Sequence, residues 1–419
     1  MHQALGWALE HDPGAALRLA VALAPWWLLR GRWATGYRQL AAAAGHAGDD
    51  GPQWCTAQFW LGLLTAATNV TTSFGHLTRI RDAFAGRPPE PLLARALAWR
   101  AGALANLGRA PEADEEGRHA LALARELGDP AGEAHALYWL ATAAGYVGNL
   151  QDAEAWTRQA QRINQAAIPG WIARHCTIVL ARVLGETGEA AEAQRYCADA
   201  LALARQAGAL YDEGECLLTM ALLDLRAGRL PEARAHVRDV IDLYAQTGAS
   251  LLLINCLELC VGLCAATRSW REAITVWAAF AAVRRATWIK GDSQADDPAG
   301  EDEFQEPLRK AREALGPNLA RAAEERGAAI TPAAAAEYIL LLVTGKPEEP
   351  AAAPDLPHLT ARERELVTLV ARGRTDAQIA AQLSVSVRTV RTRLDRIRAK
   401  TGSQRRADLT RLALQANLV

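Results

Sequence analysis

Lysine is nearly missing from this chain: 4 residues of 419, against 42 arginines. Any excess of charge is missing too, since 46 Lys+Arg meet 47 Asp+Glu for a net of −1. Averaged over the whole chain, that balance points to neither a nucleic acid nor a membrane surface. No run of 18 or more uncharged apolar residues occurs; the longest candidate, Leu251 to Thr267, is broken by Asn255 and Glu258. A spanning segment and a membrane partner are therefore not expected. Met1 to Glu10 lacks a basic stretch followed by an apolar run, so no secretory signal is read there. The 7 cysteines include no CxxC pair, which fits a reducing cytosol better than a disulfide framework and implies a cytoplasmic protein. The 9 histidines are scattered without ligand spacing, so no metal is expected. No nucleophile and base fall into a readable grouping, so no catalytic residues, no cofactor and no enzyme are expected. A phosphate loop is lacking as well: upstream of Gly345-Lys346 the required glycine position, 340, holds Leu.

What the chain does have is a rhythm. Gly108-Arg109, Gly148-Asn149, Gly188-Glu189, Gly228-Arg229 and Arg268-Ser269 recur every 40 residues. Four residues after each first residue stands an acid: Glu112, Asp152, Glu192, Glu232, Glu272. One further stands Ala113, Ala153, Ala193, Ala233 and Ala273. Five acids in register by accident has odds on the order of 10⁻⁵, so the period is a real repeat. Glycine suits the left-handed residue that closes a helix. Pro111 and Pro231 suit the first position of the next helix, where no amide hydrogen is needed. The acid then falls in the first turn, beside the positive end of the helix dipole. A second break recurs at Gly128, Gly208 and Gly248, with Ile168 in the fourth slot. Each unit is thus two helices, for example 134–147 and 150–166. Ala101, Ala141, Ala181, Ala221 and Val261 share one column of the first helix, and Trp99 and Trp139 another. These are packing positions, because one unit cannot bury its apolar face alone and a stack can.

Residues 91–286 resemble the tetratricopeptide repeat in a longer form of about 40 residues. Residues 1–90 read as divergent or capping repeat helices, with Trp26-Trp27 and a turn at Arg30-Gly31-Arg32-Trp33. Residues 287–343 hold an acidic loop, Gly291 to Glu303, and three short helical patterns. The last of these has Thr331 as N-cap and Pro332 at its first position. Residues 344–358 read as a linker; Lys346 to Pro357 carries four prolines.

From Leu359 the composition changes. Residues 358–419 hold 13 Lys+Arg and 5 Asp+Glu, a net of +8, which leaves −9 on the remainder. A small basic module on an acidic body is the electrostatic footprint of nucleic-acid binding. Thr360-x-x-Glu363 and Thr375-x-x-Gln378 are capping boxes, Gly373 closes the first helix, and Ser386 and Ser403 cap a third and a fourth. The second and third helices are separated only by Ser384-Val385, the spacing of a helix-turn-helix. On the third, Val387, Val390, Leu394, Ile397 and Thr401 form the stripe expected to be buried. Arg388, Thr392, Asp395, Arg396 and Ala399 lie opposite, with Arg391 and Arg393 on the shoulders.

The segment Leu359-Thr360-x-Arg362-Glu363, with Gly373, Ile379-Ala380, Leu383, Ser386, Thr389-Val390, Leu394, Ile397, Lys400 and Gly402, resembles the LuxR-type helix-turn-helix family. The resemblance implies a transcription regulator that binds double-stranded DNA as a homodimer. It puts Arg391 and Thr392 in the base-reading slots and Arg388, Thr389 and Lys400 on phosphates. Arg393, Arg396 and the helix start at Thr375 complete the expected DNA contacts. Two positions depart from the family: Arg393 stands where His is common, and Asp395 where a basic or polar residue is usual. Asp395 would repel phosphate, so it is expected to orient Arg391 or Arg398, or to accept from a cytosine amino group. Repeats plus such a head look like the MalT-like large regulators. Those carry an N-terminal ATPase domain, and no such domain is visible here, so ATP control is not carried over and the chain reads as the sensor and output part.

Cys256, Cys260 and Cys264 line one helix face, but each shares a repeat column with apolar residues, so packing is the expected role. Arg100 and Asp224 break apolar columns and are kept as ligand-binding candidates on a groove of the array, against the plainer reading of a solvated edge. The whole is expected to be all-α: a TPR-like solenoid sensing a small molecule or protein effector, then a four-helix DNA-reading head. Extended, the 12 linker residues reach roughly 37 Å, enough to let two heads dock on half-sites about 34 Å apart. The alternative is a TPR-type scaffold or adaptor whose C-terminal domain binds protein.

Overall fold

A computed structural model describes residues 2–45, 51–167, 171–288, 301–344, 359–371, 374, 376–401, 403 and 406–416. All regular structure among them is α-helical. Five helices precede the regular repeats: α1 (His2–His11), α2 (Pro13–Leu29), α3 (Trp33–Ala44), α4 (Pro52–Thr65) and α5 (Val70–Ala83). Ten more follow as pairs: α6 (Pro91–Asn106) with α7 (Ala110–Glu126), α8 (Pro130–Tyr146) with α9 (Leu150–Ala167), α10 (Trp171–Thr187) with α11 (Ala190–Ala207), α12 (Leu210–Arg226) with α13 (Leu230–Thr247), and α14 (Ser250–Ala266) with α15 (Trp270–Trp288). Three tail helices are α16 (Glu301–Leu315), α17 (Pro317–Ala328) and α18 (Pro332–Thr344). The head has α19 (Ala361–Ala371), α20 (Asp376–Gln382), α21 (Val387–Thr401) and α22 (Arg406–Gln415).

The 40-residue column is one hydrogen-bonded turn, repeated. The residue after each break donates its amide to a carbonyl five back: Arg109 to Leu104 at 3.0 Å, Asn149 to Ala144 at 2.9 Å, and Glu189 to Leu184, Arg229 to Asp224 and Ser269 to Cys264, each at 2.8 Å. That bond closes a helix over a left-handed residue. Gly108, Gly148, Gly188 and Gly228 supply it, and Arg268 adopts the same conformation at φ 56° without being glycine. The column acids all sit in the first turn of the helix that follows, and the alanines after Glu112, Asp152, Glu192, Glu232 and Glu272 are all buried. Two expected boundaries move. α8 begins at Pro130, four residues before the expected start. Pro111 and Pro231 occupy the second helical position, which equally lacks an intrahelical acceptor for its amide. Ile168, most of the acidic loop, the linker Lys346 to Pro357, Gly373, Thr375 and Gly402 lie outside the described residues.

The chain falls into two compact units. One comprises residues 1–229, 242–252 and 287–303; the other comprises 230–241, 253–286 and 304–419. In the first unit, alanine columns and tryptophans form the core, with Trp99, Trp139, Leu137, Ala141 and Cys176 all buried. Its N-terminal helices return to its far end. Gly31 has φ +62°, and a Cβ there would fall 2.7 Å from the Thr247 methyl. The Leu251 amide donates to the Ala67 carbonyl at 3.1 Å. Both features of Gly31, the left-handed backbone and the close approach, require glycine.

In the second unit, α17 packs on α15. The Thr275 hydroxyl donates to the Ala323 carbonyl at 3.3 Å, and Gly327 lies against the Thr275 backbone. The head has its own core, in which Leu366, Val367, Ile379, Val390, Leu394, Ile397 and Leu409 are buried together. All seven cysteines are buried. Burial pushes the Cys260 and Cys264 thiols well above their ordinary range, so these cysteines behave as small hydrophobes. Among the described residues no helix is long and apolar enough to cross a membrane.

Candidate nucleic-acid interface and a partly open cavity

The head is assembled from its caps. The Thr360 amide donates to the Glu363 carboxylate at 2.8 Å while the Glu363 amide donates to the Thr360 hydroxyl at 3.3 Å, the reciprocal pair of a capping box. α21 is started by Ser386, whose hydroxyl oxygen accepts from the Thr389 amide at 3.1 Å. Between α20 and α21 the chain turns through Ser384 at φ 53°, and the Val385 amide donates to the Ala380 carbonyl at 2.9 Å. This short left-handed turn fixes α21 across the end of α20, the arrangement of a helix-turn-helix.

α21 divides by face. Val390, Leu394 and Ile397 are buried. Arg388, Arg391, Thr392, Asp395, Arg396 and Ala399 are exposed. Val387, expected in the buried stripe, is exposed: it is the first residue of the helix and lies one turn beyond the core. Thr401 is half-buried, with its hydroxyl donating to the Ile397 carbonyl at 2.8 Å. The Ser403 hydroxyl, expected to cap the fourth helix, lies 2.8 Å from that of Thr401, and α22 is described from Arg406.

The expected DNA-contacting residues separate accordingly. Arg388, Arg391, Thr392 and Arg396 share the exposed face. Arg391 reaches Asp376 of α20 at 3.4 Å yet stays 71% exposed. Arg393 is half-buried on the shoulder. Thr389 is half-buried in the cap, its hydroxyl 2.8 Å from that of Ser386. Lys400 is held by both Glu363 oxygens, at 2.8 and 2.9 Å, which ties the end of α21 to the start of α19. That ammonium and the Thr360 amide hold the Glu363 carboxyl down at about 2. Asp395 takes the second of its expected partners, accepting from Arg398 at 2.8 Å. Thr375 lies outside the described residues.

Arg100 and Asp224 have other work. Arg100 pairs with Glu116, donates to Thr78 at 3.1 Å and stacks on Phe74 with its guanidinium 4.6 Å from the ring centre. Asp224 is buried and accepts from Arg229 at 2.6 Å, across the turn that closes its own helix. Neither lines the cavity of the first unit.

That cavity measures about 100 Å³. Its wall is a continuous aromatic arc. Trp33 meets Tyr211 at 5.4 Å between ring centres, Tyr211 meets His175 at 6.1 Å, His175 meets Tyr138 at 5.5 Å, Tyr138 meets Trp139 at 4.7 Å, and Trp139 meets Trp99 at 5.0 Å. All six rings line the space. Beside them Arg174 donates to Asp212 at 2.6 Å, both buried, with the His175 Nδ1 3.6 Å from the same carboxylate. One sequence signal touches this wall: His175 belongs to a polar column, Arg95, His135, His175 and Glu215, spaced by 40 within apolar helices. Burial and the nearby Arg95 charge lower His135 to about 3, and burial raises the Glu215 carboxyl. No group of three or more metal-ligating side chains occurs among the described residues.

Residues 357–413 match the family model described as bacterial regulatory proteins, luxR family. The C-terminal segment is therefore a LuxR-type helix-turn-helix domain. Among curated proteins, the response regulator Rre1 of Synechocystis is 44% identical over 59 residues, 14% of this chain and 26% of that protein. An HTH-type transcriptional regulator of Mycobacterium tuberculosis is 32% identical over 155 residues, 37% of this chain and 17% of that one. The chain thus spans about a quarter or less of the length of these relatives. Among solved structures, a Rap protein complexed with competence and sporulation factor shares 13% identity at a TM-score of 0.49, covering 75% of this chain and 92% of that one.

Proposed function

We propose that this chain is a DNA-binding transcription regulator whose head reads the major groove as a homodimer and whose helical repeats sense an effector. One observation carries the first half. In a segment that matches LuxR-type regulators, α21 buries Val390, Leu394 and Ile397 and offers Arg388, Arg391, Thr392 and Arg396 to solvent on the other face. A helix held by one side and cationic on the other is what groove entry needs. Arg391 suits a guanine, whose O6 and N7 accept two guanidinium hydrogen bonds. Asp376 holds it at 3.4 Å until a base competes for it. Thr392 stands beside it, and Arg388 and Arg396 suit the flanking phosphates. Lys400 has a carboxylate partner already, so its phosphate role is secondary to joining α19 to α21. The cytoplasm, where DNA and reduced thiols coexist, is the compartment this reading requires.

The experiment is a salt series. Full-length protein is used to select duplexes from genomic DNA, and the selected site is titrated at increasing ionic strength. Log K is expected to fall linearly with log salt, at about −0.9 per phosphate neutralised. No duplex retained at 50 mM salt would overturn the regulator reading in favour of a protein-binding scaffold.

A further inference from the structure

We infer that the cavity of the first unit is a binding site for a small, uncharged aromatic molecule of about one ring, carrying a hydrogen-bonding substituent. The inference rests on the reading of the repeats as the sensory part, and gives that part its ligand chemistry.

Size comes first. A cavity of roughly 150 Å³ lined by apolar side chains accommodates benzene. At about 100 Å³ this one is smaller, so a single ring fills it and a fused pair fits only by reaching out through its open side. Charge comes second. The lining holds one guanidinium and one carboxylate, Arg174 and Asp212, and they satisfy each other at 2.6 Å. A charged ligand would be stripped of water there with its natural partner already taken. Hydrogen-bonding capacity comes third. Of the polar side chains in the wall, Arg174 and Asp212 bond each other, Asn106 accepts from the Tyr146 hydroxyl at 3.1 Å, the Trp33 indole N–H donates to the Leu28 carbonyl at 2.8 Å, and Tyr211 is hydrogen-bonded to Glu215; Tyr138 and His175 complete the polar lining. A sugar, with several hydroxyls to satisfy, would leave most of them buried without partners. On the lining residue Trp139, the buried indole N–H has no hydrogen-bond partner among the described residues. A single acceptor or hydroxyl on the ligand meets that supply.

Aromaticity comes last. The arc places ring edges and faces at 59° to 87° in all but one of its contacts, the exception being His175 on Tyr211 at 22°. A planar ring entering such an arc finds edge-to-face partners on several sides, an arrangement that adds to simple area burial. Occupancy also has a route to the fold of the unit. Trp33 belongs to α3 and Tyr211 to α12, and Leu28, Ala66 and Leu251 of the returning ends line the same space. A ligand between them strengthens the contact between the two ends of this unit.

Isothermal titration calorimetry on the full-length protein tests this with phenol and indole as probes. Benzoate, benzylamine and glucose serve as the anionic, cationic and polyhydroxyl comparisons. Phenol or indole is expected to bind below about 1 mM, and each comparison at least about tenfold more weakly. Ala66→Trp and Leu28→Trp fill the space from different helices, and circular dichroism checks their fold. Each folded variant is expected to weaken indole about tenfold or more. Equal binding of benzoate or glucose, no heat with either arene, or unchanged indole binding in the folded fillers would overturn the inference. Duplex binding is measured on the same preparation. DNA bound without an arene response sinks the ligand assignment alone; an arene response without DNA binding sinks the regulator reading alone.

Discussion

The same side chain serves opposite ends in two regions of this molecule. In the repeats, arginine is turned inward or sideways and given an acid: Arg95 to Asp129, Arg100 to Glu116, Arg174 to Asp212, Arg229 to Asp224. In the head, Arg388 and Arg396 are exposed with no ion-pair partner among the described residues, and Arg391 has a weak one. A buried guanidinium without a carboxylate is costly, and the buried Arg100 and Arg174 each have an acid against them. An exposed one costs little, and left unpaired it keeps its capacity for an outside anion. The sequence total of −1 conceals this division, because it adds arginines that are already spent to arginines that are available.

The sharpest way to break the comparison is to unpair a buried arginine. Asp212→Ala leaves Arg174 buried and alone, and about 3–5 kcal/mol of stability should be lost, read as the denaturation midpoint of the full chain. A loss below 1 kcal/mol would mean water reaches the pair and the inward arginines resemble the outward ones. The converse substitution, Arg391→Ala, should barely move the melting temperature. It should instead erase about 1–3 kcal/mol of discrimination at one base position, measured by competition between the selected site and its single-base variants.

Acid separates the regions by a different route. His135 is lowered to about 3, and His76, buried beside Arg79 with its Nδ1 2.7 Å from Gln58, to about 4. Both titrate near 6.5 when unfolded, so below that pH the unfolded chain takes up protons that the folded repeats refuse. Their contribution is complete above pH 6.5 and declines as pH falls toward the folded values, by up to about 1.4 kcal/mol per pH unit for each histidine. Thermal melts from pH 7.5 to 4.5 should show this slope, and His76→Gln with His135→Gln should flatten it. The head keeps its own carboxylate term longer. The depressed Glu363 contributes above its unfolded value near 4.5 and loses that contribution only as pH falls toward 2. The smallest effect is Lys400→Ala, about 0.2–1 kcal/mol of head stability. It is seen as a shift of the head's acid transition toward neutral pH, with little change in the salt slope of DNA binding.

The sequence showed what is local or periodic. The turn column, the acids in the first helical turns, the caps at Thr360 and Ser386, and the buried stripe at Val390, Leu394 and Ile397 each depend on residues within one turn or at a fixed interval. What it did not show depends on partners far apart along the chain. Lys400 looked like a phosphate contact because its carboxylate, Glu363, lies 37 residues away on another helix. Arg100 and Asp224 looked like ligand groups because they interrupt apolar columns. The cavity sits elsewhere, lined by His175 of the polar column and by Trp99 and Trp139, whose columns read as packing. An inward face cannot be told from an outward one by periodicity alone, since both repeat at the same interval.

The contact of Gly31 with Thr247 and of Leu251 with Ala67 also sets an arithmetic on the repeats. An open stack can gain or lose a unit at little cost, because each repeat answers only to its neighbours. Within the first unit the N-terminal helices answer to residues about two hundred positions on. Removing one 40-residue unit between Gly31 and Thr247 would therefore cost both contacts, a penalty that an open stack does not carry.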